Sequence, residues 1–404
     1  MSNSELPKGW RECRLEEILD LIVDNRGKNP SKYSDRGIPV IDNFMIQNQR
    51  YINLNEAKRY IDIKTFESFI RKHIKYKDVL ITLVGNGYGN VSQAPIDKSV
   101  IIQNTIGLRV DEYADQEFLF YNLKFNNEQI LNFDRGAVQP SIKVSDLKSL
   151  EINLPPLAEQ KAIAEVLSSL DDKIDLLHQQ NQTLEDMAKT LFREWFIEKA
   201  DEGWEEVKLG DYVKCINGYT YKSSELMESR NALVTLKNFA RDGSLRLDGF
   251  KEFTGMKFKE AQVVIDGDLV VAHTDITQNA DIIGNPILVK NIHNYDKLVI
   301  TMDLVKVEPL VNWIKKSYLY CLFKSDDFKF HCLCNSNGST VLHMSKKAIP
   351  SYIFKLPPKE LLVSFTKIVE DIFEKQDLNQ KQIKTLEQTR DTLLPKLMSG
   401  QVRV

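Results

Sequence analysis

A heptad repeat in the middle of the chain constrains the fold most strongly. Apolar residues recur there in alternating steps of four and three over more than four heptads, with one amide among them. The seam positions are Ile163, Leu167, Leu170, Ile174, Leu177, Asn181, Leu184, Ala188, Leu191 and Trp195. The spacing predicts one long helix over residues 154–198, with a length of about 60 Å. Such a helix needs a partner, because its apolar seam is not stable in water.

The chain supplies that partner 202 positions later. Leu154-Pro155-Pro156 recurs as Leu356-Pro357-Pro358, and a second heptad seam follows in the same register. Its positions are Phe365, Val369, Ile372, Gln376, Asn379, Ile383, Leu386, Arg390, Leu393 and Leu397. The first helical segment has a net charge of -5 and the second of +1. Opposite charge biases favour pairing of the two helices.

An antiparallel pairing puts the two seam amides opposite each other. The predicted facing pairs are Trp195 with Phe365, Leu177 with Ile383, Leu191 with Val369, and Asn181 with Asn379. A buried amide pair can fix the register of a coiled coil at some cost in stability. The alternative, in which Asn181 is a solvated break in the seam, stays open at this point.

The repeat extends beyond the helices to the whole chain. Matched segments are Gly9-Trp10 with Gly203-Trp204, Asn43-Phe44 with Asn238-Phe239, and Asp78-Val79-Leu80 with Asp268-Leu269-Val270. The chain is therefore predicted to be two copies of one plan, a globular block followed by a long helix. The predicted domains are a first block (1–153), a first spacer helix (154–200), a second block (201–355) and a second spacer helix (356–404).

Both blocks are predicted to be α/β. In the first block, short strands are predicted at 38–41, 79–84, 100–103 and 106–110, with a helix over 116–131. In the second, strands are predicted at 232–236, 269–272, 286–290 and 304–307, with a helix over 313–325. The fold class is thus two globular α/β domains separated by an antiparallel two-helix coiled coil, with a pseudo-twofold internal repeat.

Composition narrows the classes of function. The chain has 404 residues, begins with a polar segment and contains no apolar run long enough for a membrane span, so we expect a cytoplasmic protein. Five scattered cysteines fit reduced thiols. A net charge of -3 argues against general binding of polyanions. Any nucleic-acid surface must then be local or shared with a partner.

Three sets of polar loops between the predicted strands are candidate DNA contacts. Cations and amides can bind base edges or phosphates, and Tyr can pack on sugars or exposed bases. The candidates are Arg26, Lys28, Asn86, Tyr88, Asn90, Arg135, Gln139 and Ser141 in the first half, and Tyr219, Tyr221, Lys222, Ser223, Ser339, Thr340 and His343 in the second. Each loop can also be a turn with solvated charges. The recurrence of the loops at equivalent points favours function.

Catalytic and metal-binding interpretations are weaker. The chain has no G-x-x-x-x-G-K-[ST] motif for nucleotide hydrolysis. Asp42, Glu56 and Lys58 are similar to the residue set of metal-dependent nucleases, but the second half has Lys237 in place of Asp42. A zinc site is also disfavoured, and its candidate ligands are His331, Cys332, Cys334 and His343. We therefore expect no catalytic residues and no metal.

The junction Leu154-Pro155-Pro156-Leu157-Ala158-Glu159-Gln160, followed by the long helix, resembles the DNA-specificity (S) subunit of type I restriction-modification enzymes. The resemblance covers essentially the whole chain. Supporting matches are the segment Lys77-Asp78-Val79-Leu80-Ile81 and the loop Gly218-Tyr219-Thr220-Tyr221-Lys222-Ser223. The second junction departs from the pattern, because Lys359-Glu360-Leu361-Leu362 follows Pro358.

The resemblance implies that each block is a target-recognition domain that reads one half of a bipartite site in double-stranded DNA. The helices would set the spacing and bind two adenine-N6 methyltransferase (M) subunits, with restriction (R) subunits as further partners. The cofactor S-adenosylmethionine would then belong to the methyltransferase, and this chain would bind none. Two other hypotheses stay open, a stand-alone metal-dependent nuclease acting near Asp42 and a coiled-coil scaffold for protein interactions.

Overall fold

The fold was obtained as a computed structural model that describes residues 6–134, 140–277 and 279–404. The chain forms two compact units. Unit 1 contains Met1–His178 and Gln380–Val404, and unit 2 contains Gln179–Asn379. Among the described residues, no helix combines the length and the apolar character that a membrane crossing requires.

The described residues of unit 1 form nine strands and four short α-helices before the first long helix. The strands are β1 (Arg11–Arg14), β2 (Leu19–Val23), β3 (Ile38–Ile41), β4 (Tyr60–Ile61), β5 (Val79–Thr82), β6 (Val91–Gln93), β7 (Val100–Ile101), β8 (Thr105–Val110) and β9 (Glu151–Leu154). The helices are α1 (Ile63–Ser68), α2 (Gln116–Phe125), α3 (Asn127–Leu131) and α4 (Val144–Lys148). The first long helix, α5, spans Leu157–Arg193 and continues as a π-helical turn over Glu194–Glu198.

The described residues of unit 2 repeat most of this order and add several short strands. Its strands are β10 (Glu206–Lys208), β11 (Val213–Asn217), β12 (Asn231–Val234), β13 (Lys251–Glu252), β14 (Val263–Val264), β15 (Leu269–Ala272), β16 (Thr274–Asp275), β17 (Pro286–Leu288), β18 (Lys297–Ile300), β19 (Leu304–Pro309), β20 (Ser336–Asn337), β21 (Leu342–Met344) and β22 (Ile353–Lys355). Its helices are α6 (Lys316–Phe323), α7 (Asp326–Cys334) and α8 (Ala348–Ser351), before the second long helix, α9, over Lys359–Met398.

The main sheets of the two units have the same topology. In unit 1 the antiparallel order is β2-β8-β5-β6, and in unit 2 it is β11-β19-β15-β17. A smaller sheet lies beside each, with β3 parallel to β7 in unit 1 and β12 parallel to β18 in unit 2. The predicted α/β blocks and the internal repeat are therefore confirmed.

The central strand of each main sheet is buried on both faces. In β5, Val79 and Ile81 pack into a core that includes α2, whereas Leu80 packs into a second cluster with Val23 and Ile74. In β15, Leu269 and Val271 face one core and Val270 faces another. This explains why both strands are continuous apolar runs rather than alternating ones.

Helix α5 and helix α9 pair in the predicted antiparallel sense. In unit 2 the rings of Trp195 and Phe365 lie 6.0 Å apart. In unit 1, Leu177 and Ile383 share one cluster with Ile174 and Leu386. The antiparallel arrangement of the seams is thus confirmed.

The seam amides also meet. In unit 2, Asn379 Nδ2 donates to Asn181 Oδ1 at 2.9 Å, and Gln376 Nε2 donates to the backbone oxygen of Asn181 at 3.0 Å. Asn379 is fully buried, so the amide pair belongs to the seam and is not a solvated break.

Arg390, a charged residue of the seam, has polar partners in unit 1. Arg390 Nη1 lies 2.7 Å from Asp171 Oδ1, and the Tyr121 hydroxyl donates to Asp171 Oδ2 at 2.6 Å. Burial and the nearby Asp171 carboxylate raise the pKa of Tyr121, so this hydroxyl stays protonated. Ionic groups are tolerated in a seam when they are paired in this way.

The junction motif has a structural explanation in unit 1. Glu159 accepts from Trp10 Nε1 at 3.2 Å and from Arg403 Nε and Nη2 at 2.8 and 2.6 Å. Gln160 Oε1 accepts from the Asp115 backbone nitrogen at 2.8 Å, and its Nε2 donates to the Pro155 oxygen at 2.9 Å. The two residues attach the start of α5 to the block.

The second junction uses apolar contacts instead. Leu362 is fully buried in unit 2, and Trp204 packs with Phe196 at a ring distance of 6.4 Å. The departure from the first junction therefore replaces hydrogen bonds by packing.

The bounds of three predicted helices require correction. The second long helix spans Lys359–Met398 rather than 356–404, because Pro357 and Pro358 precede it. The first long helix begins at Leu157, because Leu154 ends strand β9 and two prolines follow. The helix predicted over 116–131 is broken at Asn126, whose Nδ2 bonds the backbone oxygen of Asn122. Such local side-chain bonds compete with helical continuation.

Candidate nucleic-acid interface

The predicted loops of unit 1 meet at one end of its main sheet. In the antiparallel order β2-β8-β5-β6, the carboxyl ends of β2 and β5 lie beside the amino ends of β8 and β6. Residues 24–30, 83–90 and 102–104 leave or enter the strands there. We call these residues, together with Ser141, the loop edge of unit 1.

Buried polar contacts fix the loop edge. Asn25 is 1% exposed; its Nδ2 donates to the backbone oxygens of Lys72 at 2.8 Å and Ile101 at 3.3 Å. The backbone nitrogen of Leu83 donates to the Asn104 oxygen at 2.7 Å. The loops are therefore tied to one another through the backbone.

The loop over residues 84–90 depends on glycine. Gly85, Gly87 and Gly89 all have positive φ. A Cβ at Gly89 would lie 2.8 Å from Leu131 Cδ2, and Asn127 Nδ2 donates to the Gly89 oxygen at 2.8 Å. The loop leads into strand β6 rather than a helix, unlike a dinucleotide-binding loop.

The predicted residues of unit 1 have different environments. Arg26 pairs with Asp24 at 2.7 Å, and this bond leads the effects that hold the pKa of Asp24 below its usual value. Lys28 Nζ lies 5.3 Å from the centre of the Phe69 ring. Asn86 is exposed and Tyr88 is half-buried.

Two further candidates have roles in holding the loops. Asn90 Nδ2 donates to the Ile46 oxygen at 3.0 Å, and the backbone nitrogen of Ser141 donates to Asp134 Oδ1 at 3.2 Å. Ser141 also pairs with Val84 in an isolated bridge. Arg135 and Gln139 lie outside the described residues.

Unit 2 has an equivalent loop edge, formed by residues 218–223, 273–285 (of which 278 is outside the description), 301–303 and 336–344. A Cβ at Gly218 would lie 2.0 Å from the Thr301 oxygen, so only glycine fits at this approach. Tyr219 accepts through its backbone oxygen from Met302 at 2.9 Å. Two of the loops are thereby joined.

Tyr219 packs inside unit 2, and its role as a DNA-contacting residue stays a prediction. Its side chain is 9% exposed, its ring lies 6.3 Å from those of Phe253 and Phe258, and its hydroxyl donates to Glu225 at 2.9 Å. Tyr221 is half-buried against the same cluster.

The other predicted residues of unit 2 remain accessible. Lys222 and Ser223 are exposed, as are Ser339, Thr340 and His343 around the β20-β21 hairpin. His343 Nδ1 lies 3.3 Å from Thr274 Oγ1 across the β16-β21 pair. This pair corresponds to the Val84–Ser141 bridge of unit 1.

A residue that was not predicted from the sequence anchors the loop after β16 in unit 2. Asp275 is fully buried; Oδ1 accepts from Thr277, and Oδ2 accepts from the backbone nitrogens of Ile282 and Ile283 at 2.6 and 2.7 Å. Although burial opposes ionisation, these bonds hold the pKa of Asp275 below its usual value. The Asp-x-Thr spacing is a turn signal that could have revealed it.

The opposite ends of the two sheets attach to the long helices. In unit 1, Arg50 pairs with Glu117 and Asp172 and donates to the Ser168 oxygen at 3.2 Å. In unit 2, Lys290 pairs with Asp377 of α9. In each unit the loop edge is therefore the end of the sheet that lies away from these attachments.

The nuclease candidate has other partners. Asp42 pairs with Arg59, and Glu56 accepts from Asn53 at 3.4 Å. Asp42 precedes a 3-10 turn whose counterpart in unit 2 follows Thr235, so Thr235 rather than Lys237 is its equivalent.

The zinc candidates do not converge on a site. Cys332 is buried and burial raises its thiol pKa to about 12, while His331 Nε2 lies 2.9 Å from the Ala348 oxygen. Across 6–134, 140–277 and 279–404, no three His, Cys, Asp or Glu residues are grouped as ligands for a metal ion.

Comparison with known proteins explains the repeated architecture. The family profile described as "Type I restriction modification DNA specificity domain" matches residues 7–186 and again 201–388. The chain belongs to this family. Each match covers one globular block and most of the long helix that follows it, so the DNA specificity domain is the repeated element. The chain is thus a DNA-recognition subunit rather than a catalytic one.

Individual relatives extend over nearly the whole chain. The MjaIX specificity subunit of Methanocaldococcus jannaschii, a type I restriction enzyme subunit, is 26% identical over 427 residues, covering 99% of this chain and 95% of that protein. The HindI specificity subunit of Haemophilus influenzae is 24% identical over 416 residues, covering 84% and 90%. The crystal structure of an S subunit from M. genitalium is similar in fold, with a TM-score of 0.57, 19% identity and coverage of 98% and 97%.

The anchor role of Asp275 is testable by Asp275→Asn. Loss of the charge should weaken the bonds to Ile282 and Ile283, and amide exchange there should accelerate about tenfold or more. Because the folded pKa lies below the usual value of 3.8, the carboxylate stabilises unit 2 above that value. The contribution is lost as pH falls through the lowered pKa. Exchange measured by NMR or mass spectrometry would check this.

The exposed Asp211 supplies a control, since Asp211→Asn should leave exchange in the loop unchanged. Equal protection of Ile282 and Ile283 in the Asp275→Asn variant and the unaltered chain would contradict the assignment.

Proposed function

We propose that this specificity subunit reads a bipartite site in double-stranded DNA, with the loop edge of each unit reading one half. The observation that carries the proposal is that two sheets of the same topology end in equivalent loop edges with different exposed side chains. Unit 1 presents Asn86, whereas unit 2 presents Lys222, Ser339 and His343. Equivalent surfaces with unlike side chains suit two different half-sites.

The chemistry of these edges fits recognition of bases and phosphates. Amides and hydroxyls can donate to and accept from base edges, and lysines can bind phosphates. The net charge of -3 is compatible with this function if partner subunits contribute part of the phosphate contacts. Local cations such as Lys28 and Lys222 then orient the chain on the duplex.

The paired helices are proposed to set the spacing between half-sites. The Asn181–Asn379 amide pair would fix their register, because a one-heptad slip would leave the buried Asn379 and the half-buried Asn181 facing apolar residues. Two readers contact the same face of DNA when their half-sites lie about one helical turn, roughly 34 Å, apart.

The helices are also proposed to bind two copies of one methyltransferase partner. A stripe of exposed residues lies one position before each seam residue in the middle of both helices. In α5 it comprises Lys173, Leu176, Gln180, Thr183, Met187 and Thr190, and in α9 it comprises Lys375, Leu378, Gln382, Thr385, Thr389 and Thr392. Five of these six equivalent pairs are identical.

The seam residues beside this stripe are less similar between the two helices. Of the six adjacent seam pairs, only Leu184 with Leu386 and Leu191 with Leu393 are identical. Exposed positions normally tolerate substitution better than buried ones. The exposed stripe is more similar between α5 and α9 than the buried seam is. This similarity supports a binding surface on each helix for the same partner.

In this proposal the partner methylates adenine N6 and carries S-adenosylmethionine, and this chain binds no cofactor. Restriction subunits could join the same complex. The scaffold and nuclease hypotheses are the alternatives, and neither explains why the loop edges differ while the exposed stripe is shared.

The proposed function predicts a split methylation motif. Mapping of N6-methyladenine should reveal a bipartite motif in cells that contain this chain and the methyltransferase, and the motif should vanish on deletion of this chain. Asp42→Ala should leave the motif intact, because Asp42 serves the ion pair with Arg59. A motif that persists without this chain would refute the function. Metal-dependent cleavage by the isolated chain, lost in Asp42→Ala, would favour the nuclease.

The docking proposal predicts an effect of Leu176→Ser and Leu378→Ser on stoichiometry. These matched leucines are 45% and 54% exposed, so the variants should fold normally. Each single variant should weaken one of two partner sites about tenfold. Native mass spectrometry should then show loss of one methyltransferase copy, and loss of both in the double variant.

Val363→Ser is the matched control, because Val363 is an exposed apolar residue of α9 whose repeat counterpart is Lys161. Two partner copies bound with unchanged affinity to the double variant would contradict docking on this stripe.

A further inference from the structure

The centre of each loop edge is occupied by a single exposed side chain. In unit 1, Gln103 lies just before strand β8, which is flanked by β2 and β5. In unit 2, Met302 lies just before β19, which is flanked by β11 and β15. The other loops of each edge leave or enter the strands on either side.

Backbone hydrogen bonds show that the two positions are equivalent. The nitrogen of Leu83 donates to the oxygen of Asn104 at 2.7 Å, and the nitrogen of His273 donates to the oxygen of Asp303 at 2.8 Å. Leu83 and His273 each follow the equivalent strands β5 and β15 by one residue. Gln103 and Met302 are therefore the residues that precede a matched pair of acceptors.

Gln103 is held in an unusual backbone conformation. Its φ is 56°, although it is not glycine, and its side chain is exposed. Its backbone oxygen accepts from Thr105 at 2.5 Å, which tightens the turn. Strained positive φ angles are concentrated at functional sites. No hydrogen bond links the amide of Gln103 to another residue in the described parts of the chain.

Met302 is exposed among polar loops. Its side chain is 54% exposed, while its backbone nitrogen is fixed by the bond to the Tyr219 oxygen at 2.9 Å. Because the Tyr219 ring packs inside unit 2, this hydrogen bond holds the backbone of Met302 in place. A flexible thioether is thus presented at a rigid backbone position.

We propose that Gln103 and Met302 are paired base-reading residues, one at the centre of each loop edge. This inference rests on the DNA-reading function proposed above. The amide of Gln103 reads its base by hydrogen bonds, and adenine N6 and N7 match a glutamine amide in the major groove. Met302 reads by apolar contact, for which the thymine methyl group is the complement. Matched positions in the two units thereby carry two different kinds of readout, and of the two residues Gln103 alone has positive φ.

Substitutions at the two positions test the pairing. The readout is methylation of a randomised DNA library by the chain reconstituted with its methyltransferase. Gln103→Asn shortens the side chain while tolerating positive φ, and Gln103→Met replaces hydrogen bonding by apolar contact. Both should lower the preference at one base pair of one half-site about tenfold or more. Met302→Ala and Met302→Gln should change one base pair of the other half-site.

Matched controls lie away from the loop edges. Gln401 is an exposed glutamine that follows the end of α9, and Leu310 is 58% exposed at the opposite end of β19. Gln401→Asn and Leu310→Ala should leave the motif unchanged. Retained binding of the methyltransferase by every variant would show that the variants are folded.

The experiment distinguishes failure of this inference from failure of the proposed DNA-reading function. A bipartite motif that is unchanged in all four variants at Gln103 and Met302 would overturn the inference and leave the proposed function standing. Absence of any bipartite motif with the unaltered chain would overturn both. A change confined to one half-site for each residue is the expected result.

Discussion

The antiparallel pairing of α5 and α9 is the interaction on which the rest of the structure depends. Each helix completes a core that its neighbouring block cannot complete alone. Phe365 and Val369 of α9 lie in the core of unit 2, whereas Leu397 and Met398, near the other end of α9, lie in the core of unit 1. The helices are therefore integral to both folded units and not appendages that follow them.

The two repeats share the topology of the main sheet but differ in the side chains that pack on it and extend from its loops. Tyr121 in unit 1 and Tyr320 in unit 2 follow equivalent main-sheet strands, and both donate to a carboxylate of α5. The carboxylates differ, since Tyr121 bonds Asp171 and Tyr320 bonds Glu185 at 2.9 Å. The loop edges diverge further, from Gln103 in one unit to Met302 in the other. A common backbone with unlike exposed groups is what two readers of different sequences require.

The sequence predicted the parts of the structure that depend on periodicity. Heptad spacing predicted the seam pairs, including the Asn181–Asn379 contact, and repeated motifs predicted two α/β blocks with equivalent loops. It did not predict burial of Tyr219 or the anchoring by Asp275, because those roles depend on which side chains the fold brings together. The break at Asn126 was missed for a related reason, since one side-chain hydrogen bond outweighs helical spacing there.

The central claim is that two loop edges read one DNA site at a separation set by the helices. Hydroxyl-radical footprinting of the methyltransferase-bound chain on its target tests it most directly. Insertion of one heptad at equivalent points in both helices lengthens the pair by about 10 Å, or about three base pairs. We predict two protected segments whose separation grows by that amount after the insertion. A single continuous footprint, or a separation that the insertion leaves unchanged while binding persists, would contradict the account.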